Sequence, residues 1–213
     1  MIIKVCGMRD TDNILELIEK ASPDLMGMIF YAGSPRFVEK EKIDYGFYKA
    51  LPIKKVGIFV NADLEYILQK IDDFALDVVQ LHGDESVEFI TQLKSVSSIK
   101  IIKVIRLDKL VDWQEVKVFE ELVDLFLFDT KTEKFGGSGI KFDWSVLESY
   151  PLRKGFLLSG GVDEKSCDTI QALAIKIPQL VGVDINSKFE LQAGVKEIEK
   201  VRKFVEEVRG YSS

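Results

Sequence analysis

Short apolar runs recur along the chain, and stretches with helical periodicity lie between them. The runs cover residues 2–6, 25–30, 54–60, 75–81, 99–106, 122–129, 155–159 and 180–184. Most are continuous rather than alternating, which is typical of strands covered on both faces in a parallel sheet. In the first intervening segment, Ile14, Leu17 and Ile18 follow the spacing of an amphipathic helix. The pattern therefore predicts eight strands that alternate with helices.

The spacing of the predicted strands distinguishes between the parallel α/β folds. Their ends lie 22 to 30 residues apart, and eight such units indicate a (β/α)₈ TIM barrel near its lower size limit of roughly 200 residues. An open doubly wound sheet is the alternative, but eight consecutive units with a closing helix favour the barrel. No linker or low-complexity segment divides the sequence. We therefore expect one α/β barrel domain over residues 1–213.

Composition and charge narrow the possible functions. With 46% hydrophobic residues and 14 Phe, the 213-residue chain can fill a core of this size and is not a disordered polypeptide. Its 29 basic and 35 acidic residues give a net charge of −6, and without a basic cluster this argues against nucleic-acid binding. No apolar segment is long enough for a membrane span, and the N-terminal run is too short for a signal peptide. We expect a cytoplasmic protein.

The few cysteines and histidines limit the cofactor chemistry. Cys6 and Cys167 lie far apart and lack the spacing of zinc ligands. Two such isolated cysteines favour a protein of a reducing compartment. Cys167 lies in a helical stretch and is interpreted as a packing residue. His82 is the only histidine, so sites that need several imidazoles are excluded. The sequence has neither a dinucleotide-binding glycine loop nor a Walker A motif. We therefore expect no metal and no organic cofactor.

Barrel geometry predicts where the reactive groups lie. In this fold they sit at the carboxyl ends of the strands and in the loops that follow. The polar residues at those positions are Cys6, Ser34, Arg36, Asn61, Gln80, His82, Arg106, Asp129, Ser159 and Asp184. We expect them to form a ring around one mouth of the barrel.

Cys6 and Asp129 are the candidate proton-transfer groups of this ring. Cys6 is either a buried inert residue or a base, and a base would need an influence that lowers the pKa of its thiol, which the sequence does not identify. Asp129 ends an apolar strand and is either a loop cap or a general acid, because an apolar setting raises the pKa of a carboxyl group. Together they form a plausible base and acid on strands one and six.

Two small, polar loops follow the seventh and eighth runs, where barrels of this kind usually bind phosphate. The first holds Ser159, Gly160 and Gly161, and the second holds Asp184, Asn186 and Ser187. A further glycine-rich segment with Gly137 and Gly139 is either a flexible connection or another place where backbone amides approach a ligand. These loops predict a phosphorylated small molecule as the partner.

Three other rim residues are candidates for substrate binding. Arg36 follows Ser34-Pro35 and either belongs to a turn or grips a carboxylate with two parallel hydrogen bonds. Gln80 and His82 end the fourth run, and His82 either satisfies its hydrogen bonds in place or takes part in the reaction. The residues thus indicate a barrel that binds a phosphorylated small molecule and moves protons without a cofactor.

These motifs resemble those of the phosphoribosylanthranilate isomerase family of tryptophan biosynthesis. The matching segments run in order along nearly the whole chain: residues 4–8 (KVCGM), 30–38 (FYAGSPRFV), 56–61 (VGIFVN), 79–85 (VQLHGDE), 128–130 (FDT), 136–139 (GGSG), 142–144 (FDW), 158–161 (LSGG) and 182–184 (GVD). Each motif alone is modest, and the combined signal is strong.

The resemblance implies a (β/α)₈ barrel that catalyses an Amadori rearrangement without metal or organic cofactor. Its substrate would be N-(5-phosphoribosyl)anthranilate and its product 1-(2-carboxyphenylamino)-1-deoxyribulose 5-phosphate. By this resemblance Asp129 protonates the furanose ring oxygen and Cys6 removes the C2′ proton. Arg36 would bind the anthranilate carboxylate, and the loops at residues 159–161 and 184–187 would bind the phosphate.

Two segments depart from the family pattern. After the eighth run the family commonly has Ser-Ser-Gly-Val-Glu, whereas residues 186–190 read NSKFE, so Lys188 stands in place of the glycine. This changes the backbone-amide contacts expected for phosphate, and Lys188 adds a positive charge. Residues 193–197 (AGVKE) replace a Pro-Gly-x-Lys-Asp pattern. We expect this second segment to start the last helix.

Two other functions fit parts of the sequence. One is a decarboxylase, synthase or epimerase that acts on another sugar phosphate, and a lysine-centred synthase could use Lys103 in the fifth run. The other is a non-catalytic barrel that binds a phosphate ligand and needs neither Cys6 nor Asp129. A monomer and a homodimer both fit the sequence.

Overall fold

Parallel strands close into a barrel in the computed structural model, which describes residues 1–40, 43–107, 111–130 and 143–210. In these ranges the barrel strands are β1 Ile2–Val5, β2 Leu25–Ile29, β3 Lys54–Phe59, β4 Val78–Leu81, β5 Lys100–Leu107, β6 Leu125–Thr130, β7 Phe156–Leu158 and β8 Leu180–Ile185. Each strand pairs with the next, and β1 pairs with β8. The predicted (β/α)₈ fold is confirmed, and the open sheet is excluded.

Helices connect the strands on the outside of the barrel. They are α1 Thr11–Lys20, α2 Tyr45–Ala50, α3 Leu64–Phe74, α4 Val87–Val96, α5 Trp113–Lys117, α6 Cys167–Lys176 and α7 Ile198–Arg209. Between β6 and β7 the described residues form a 3₁₀ helix over Trp144–Ser149. None of the helices in the described ranges is long and apolar enough to cross a lipid bilayer.

Side-chain caps define where several helices begin. Asp10 accepts a hydrogen bond from the backbone N–H of Asn13 at the start of α1, and Ser86 caps α4 in the same way. Such caps satisfy backbone donors that have no partner within the helix. They fix the ends of the loops that precede the helices, and these loops surround the mouth of the barrel.

The expectation that residues 193–197 start the last helix is wrong. They belong to a hairpin of β9 Glu190–Gln192 and β10 Val195–Lys196, which turns at Gly194 with φ of 88°. Asn13 of α1 holds Lys196 in extended conformation, because its side chain accepts from the Lys196 N–H at 2.7 Å and donates to the Lys196 carbonyl at 2.9 Å. With both backbone groups occupied, the chain becomes helical only after this residue.

The core has two layers separated by the barrel wall. The outer layer packs strands against helices and is rich in buried aromatic rings, among them Phe59, Phe74, Phe126, Phe128 and Phe156. The inner layer fills the barrel with Cys6, Leu25, Val56, Ile58, Val78, Ile102, Val104, Leu127 and Leu157. The interior is therefore a packed core, and the candidate base Cys6 belongs to it.

A close backbone approach between β8 and β1 closes the barrel. A Cβ atom at Gly182 would clash with the Ile2 carbonyl oxygen. Gly182→Ala should therefore lower the free energy of unfolding by about 1 to 3 kcal/mol, since the strands must separate. Urea unfolding measures this change. Gly46→Ala, on the exposed part of α2, is the control, and equal stability of the two variants would contradict the prediction.

Candidate active site

Cys6 lies at the first residue beyond β1, inside the mouth of the barrel. Its N–H donates to the Ile185 carbonyl at 2.9 Å, which extends the pairing of β1 with β8 by one residue. Gly7 then turns the chain with φ of 78°, and a Cβ at this position would lie 2.7 Å from Cδ of Arg36. Only glycine fits this close, left-handed turn. The turn leaves the Cys6 side chain 5% exposed.

Charged groups face the Cys6 thiol. The Lys4 ammonium is fully buried and donates to Asp184 at 2.7 Å, and the Ser159 hydroxyl donates to the same carboxylate at 3.2 Å. Burial raises the pKa of the Cys6 thiol above its ordinary value, and Asp184 also raises it. The positive charges of Lys4 and Lys196 act in the opposite direction. They are the cations near the thiol that the sequence did not identify.

The Asp129 carboxylate at the end of β6 accepts a hydrogen bond from the neighbouring backbone and faces His82. Its Oδ1 accepts the Thr130 N–H at 2.8 Å, and its Oδ2 lies 3.5 Å from His82 Nε2. His82 Nδ1 in turn lies 3.4 Å from Gln80 Nε2. Among the residues that the structure describes, Gln80 Oε1 and His82 Nε2 are buried without a hydrogen-bond partner. The structure thus brings together three of the predicted rim residues in one polar row.

A buried ion pair supports the loop that carries His82. The His82 N–H donates to the Phe59 carbonyl at 2.8 Å, and Glu85 accepts from the backbone of Asn61 and Gly83. The Lys103 ammonium donates to Glu85 at 2.7 Å. It also donates to the Gly83 carbonyl, so this amine is occupied by structural contacts.

Arg36 is fixed by the hairpin that follows β8. Its guanidinium forms a two-pronged ion pair with Glu190, at 2.8 Å from Nε and 2.6 Å from Nη2. Glu190 also accepts from Lys196 at 2.7 Å, and the Lys196 ammonium reaches Asn186 at 2.7 Å. The Ser34 hydroxyl accepts the Arg36 N–H, so the predicted turn is also present. Arg36 and Lys196 therefore belong to one hydrogen-bonded network, which lies beside the Cys6 thiol.

The predicted phosphate loops lie next to Asp129 and Cys6. Gly160 and Gly161 have φ of 77° and 75°, and a Cβ at Gly160 would lie 2.7 Å from the Thr130 backbone N. The Ser159 hydroxyl donates to Asp184, and the Ser159 N–H donates to the Phe128 carbonyl, so both donors of Ser159 are occupied. Ser187 begins a short 3₁₀ helix that includes the exposed Lys188.

The structure describes two of the remaining predicted residues, Arg106 and Cys167. Arg106 pairs with Asp84 on the rim. Cys167 is buried in α6, as expected for a packing residue. Gly137 and Gly139 lie outside the described residues. Lys4, Lys196 and Glu190 are charged groups of the site that the sequence reasoning missed, and a lone Lys4 within the apolar residues 2–6 was the available signal.

The barrel and its rim define a class of protein, a (β/α)₈ barrel with a thiol, a carboxyl group and cationic side chains gathered at the mouth where its strands end. The sequence model of the N-(5′-phosphoribosyl)anthranilate isomerase family matches residues 3–207. The chain therefore belongs to this family, as the order of its motifs indicated. It is 40% identical over 210 residues to the Parabacteroides distasonis isomerase of that name, covering 98% of this chain and 93% of that protein.

Solved structures of the family share the whole fold. The isomerase from Thermotoga maritima is 30% identical with a TM-score of 0.82, and the match covers 99% of this chain and all of that chain. A second structure, 26% identical with a TM-score of 0.78 and the same coverage, holds reduced 1-(o-carboxyphenylamino)-1-deoxyribulose 5-phosphate. A phosphorylated small molecule thus binds to a barrel of this family.

Proposed function

We propose that this chain converts N-(5′-phosphoribosyl)anthranilate to 1-(2-carboxyphenylamino)-1-deoxyribulose 5-phosphate, with Asp129 as general acid and Cys6 as general base. Its family membership and the 40% identical isomerase support this activity. The observation that carries the assignment of roles is the placement of two different proton carriers on one rim. A thiol beside two ammonium groups ends β1, and a carboxyl group beside an imidazole ends β6.

The two groups would act in turn. Asp129 gives a proton to the furanose ring oxygen as the bond from this oxygen to C1′ breaks, which leaves an iminium ion. The Cys6 thiolate takes the C2′ proton, and the electron pair moves toward the iminium nitrogen to form an enolamine. The enolamine then becomes the ketone by gaining a proton at C1′ and losing one from the C2′ hydroxyl. Atoms and charge balance, so no oxidant or further reactant is needed.

The contacts of Asp129 fit the role of a proton donor. Oδ1 is occupied by the Thr130 N–H, which leaves Oδ2 as the oxygen that can hold a proton. Oδ2 faces His82, whose ring is placed by Gln80 and by the loop with Glu85. We infer that His82 and Gln80 orient the Asp129 carboxyl group and line the substrate site rather than transfer protons themselves.

The anionic ends of the substrate would be bound by separate parts of the rim. Arg36 is held in place by Glu190 and would contact the anthranilate carboxylate with its remaining N–H groups. The loops at residues 159–161 and 184–187 would bind the phosphate through backbone amides such as those of Gly160 and Gly161, with Lys188 as an additional cation; the Ser159 N–H is occupied by the Phe128 carbonyl. Ligand binding by backbone amides of the segment with Gly137 and Gly139 stays a prediction.

Turnover of the fluorescent substrate tests the activity directly. Purified protein is added to phosphoribosylanthranilate, and the loss of anthranilate fluorescence is followed. We expect a rate well above the spontaneous decay, in the absence of added metal and cofactor. A rate equal to the spontaneous background would refute the isomerase and favour a non-catalytic barrel.

Arg36→Ala should mainly raise KM, by about 10- to 100-fold. A charged hydrogen bond to a group present in substrate and transition state alike contributes to binding more than to the chemical step. Steady-state kinetics measure both constants. Arg202→Ala removes a guanidinium on the outer helix α7, which pairs with Glu199 and Glu206, and should leave KM unchanged. An unchanged KM in Arg36→Ala would contradict the carboxylate assignment.

We further infer that the protein acts in the cytoplasm on a phosphorylated small molecule, without nucleic acid or membrane. Cys6 and Cys167 are both free thiols, which suits a reducing compartment. Light scattering of the purified chain distinguishes the monomer from the homodimer, both of which are compatible with the barrel.

A further inference from the structure

Lys4 is a fully buried lysine on the interior face of β1. Its Cα is paired with that of Asp184 on β8, and its ammonium donates to that carboxylate at 2.7 Å. Side chains two residues apart on an extended chain point to the same side, so Lys4 and Cys6 face the same space. A charged ammonium without contact to water is costly unless counter-charges surround it. The position of Lys4 therefore needs an explanation beyond packing.

The charged groups around the thiol come from several elements. Lys4 lies on β1, Asp184 on β8 and Lys196 on β10, while Arg36 follows β2 and Glu190 lies on β9. Among these described groups the cations outnumber the anions by one. The excess positive charge disappears when Cys6 carries a negative charge. A thiolate thus completes the charge balance of this cluster, whereas a neutral thiol leaves it incomplete.

We propose that Lys4 is a positioning residue that stabilises the thiolate form of Cys6 by direct ion pairing, and that Asp184 limits this stabilisation. The inference rests on the proposed function, in which Cys6 acts as the base. Asp184 holds the ammonium at the interior face and competes with the thiolate for it. Lys4 itself touches no substrate in this role and acts through the sulfur atom.

Because Asp184 and the Cys6 thiolate compete for the Lys4 ammonium, removing Lys4 and removing Asp184 should change the Cys6 pKa in opposite directions. Without the Lys4 charge, the thiol loses the stronger of the two cations that oppose the effect of its burial, so its pKa should rise further. Without the Asp184 charge, the thiolate becomes the main counter-ion of Lys4, so the pKa should fall. If the two substitutions only loosened the packing around Cys6, water would enter in both variants. It would move the thiol pKa down in both, because burial is the largest cause of its elevation.

The experiment measures the rate of Cys6 alkylation by iodoacetamide as a function of pH. Peptide mass spectrometry follows Cys6 and Cys167 separately in the same sample. Cys167 is buried in α6, and burial raises its thiol pKa to about 12, so its labelling reports unfolding. Lys4→Met should move the midpoint of the Cys6 profile up by about 1 to 3 pH units, and Asp184→Asn should move it down.

Lys103→Met is the matched control. It also removes a buried ammonium from a barrel strand and leaves a carboxylate, Glu85, without its ion pair. It should leave the Cys6 midpoint in place. A midpoint that stays or falls in Lys4→Met, or that stays or rises in Asp184→Asn, would overturn the proposal. If Lys4→Met does not fold, Lys4→Gln takes its place, because its amide can still donate to Asp184 without carrying a charge; a midpoint that stays or falls in folded Lys4→Gln would overturn the proposal.

Alkylation needs no turnover, so the two proposals fail separately. Absence of isomerase activity in the unmodified protein would refute the proposed function, whatever the alkylation profiles show. Normal activity with equal Cys6 midpoints in all variants would refute the role of Lys4 and leave the isomerase intact.

Discussion

Asp129→Asn should lower kcat by about 10²- to 10⁴-fold, the range expected when a general acid is removed. Asparagine can still accept the Thr130 N–H that now bonds to Oδ1. It has the same shape as aspartic acid but no proton acidic enough to give to the ring oxygen. The loss should therefore fall on kcat with little change in KM, and the fluorescence assay measures both.

The control for this variant is another aspartate-to-asparagine change on the surface. Asp112 caps the start of α5 through the Gln114 N–H, and Asp112→Asn should keep normal kinetics because asparagine is also a good cap. Thermal unfolding establishes that both variants fold. A nearly normal kcat in a folded Asp129→Asn protein would remove Asp129 from the role of acid.

Cys6→Ala should lower kcat by a similar factor of about 10²- to 10⁴-fold, because it removes the group proposed to take the C2′ proton. The pH profile distinguishes the thiol from a packing residue. Burial raises the pKa of Cys6, so the thiolate fraction is small at neutral pH and increases as the pH rises. The wild-type kcat should increase over the same range, and the residual rate of Cys6→Ala should lack this increase.

Cys167→Ala is the matched control, since it removes the other buried thiol from α6 without reaching the mouth of the barrel. Its kcat and pH profile should follow the wild type. An alkaline increase that persists in Cys6→Ala would assign the titrating base to another group.

The sequence predicted the barrel because its signal is local and repeated. Continuous apolar runs such as those at β3 and β5 indicate buried parallel strands, and their spacing indicates βα units. The hairpin before α7 could not be predicted in this way. Its cause is Asn13, which is 183 residues away along the chain from Lys196, so the local helical pattern gave the wrong element.

The candidate site was predicted in part for the same reason. Cys6, His82 and Asp129 end apolar strands, so barrel geometry alone brings them to one rim. Lys4 and Asp184 meet only because the first strand pairs with the last in one particular register. That register depends on closure of the barrel, and no local pattern contains it. The isolated Lys4 in an apolar run was a visible signal, but its pairing with Asp184 was therefore outside the reach of sequence reasoning.

The seam between β1 and β8 has a consequence for synthesis of the chain. Lys4 and Cys6 leave the ribosome well before Asp184, Glu190 and Lys196. A nascent chain that ends before β8 therefore cannot assemble the charged cluster around the thiol. Lys4 lacks its ion pair with Asp184 until β8 has been synthesised. A circular permutant that joins residue 213 to residue 1 and opens the chain elsewhere would make both halves of the seam neighbours during translation. In the present order of the strands, the Cys6 thiol gains its charged environment only when β8 and the hairpin dock.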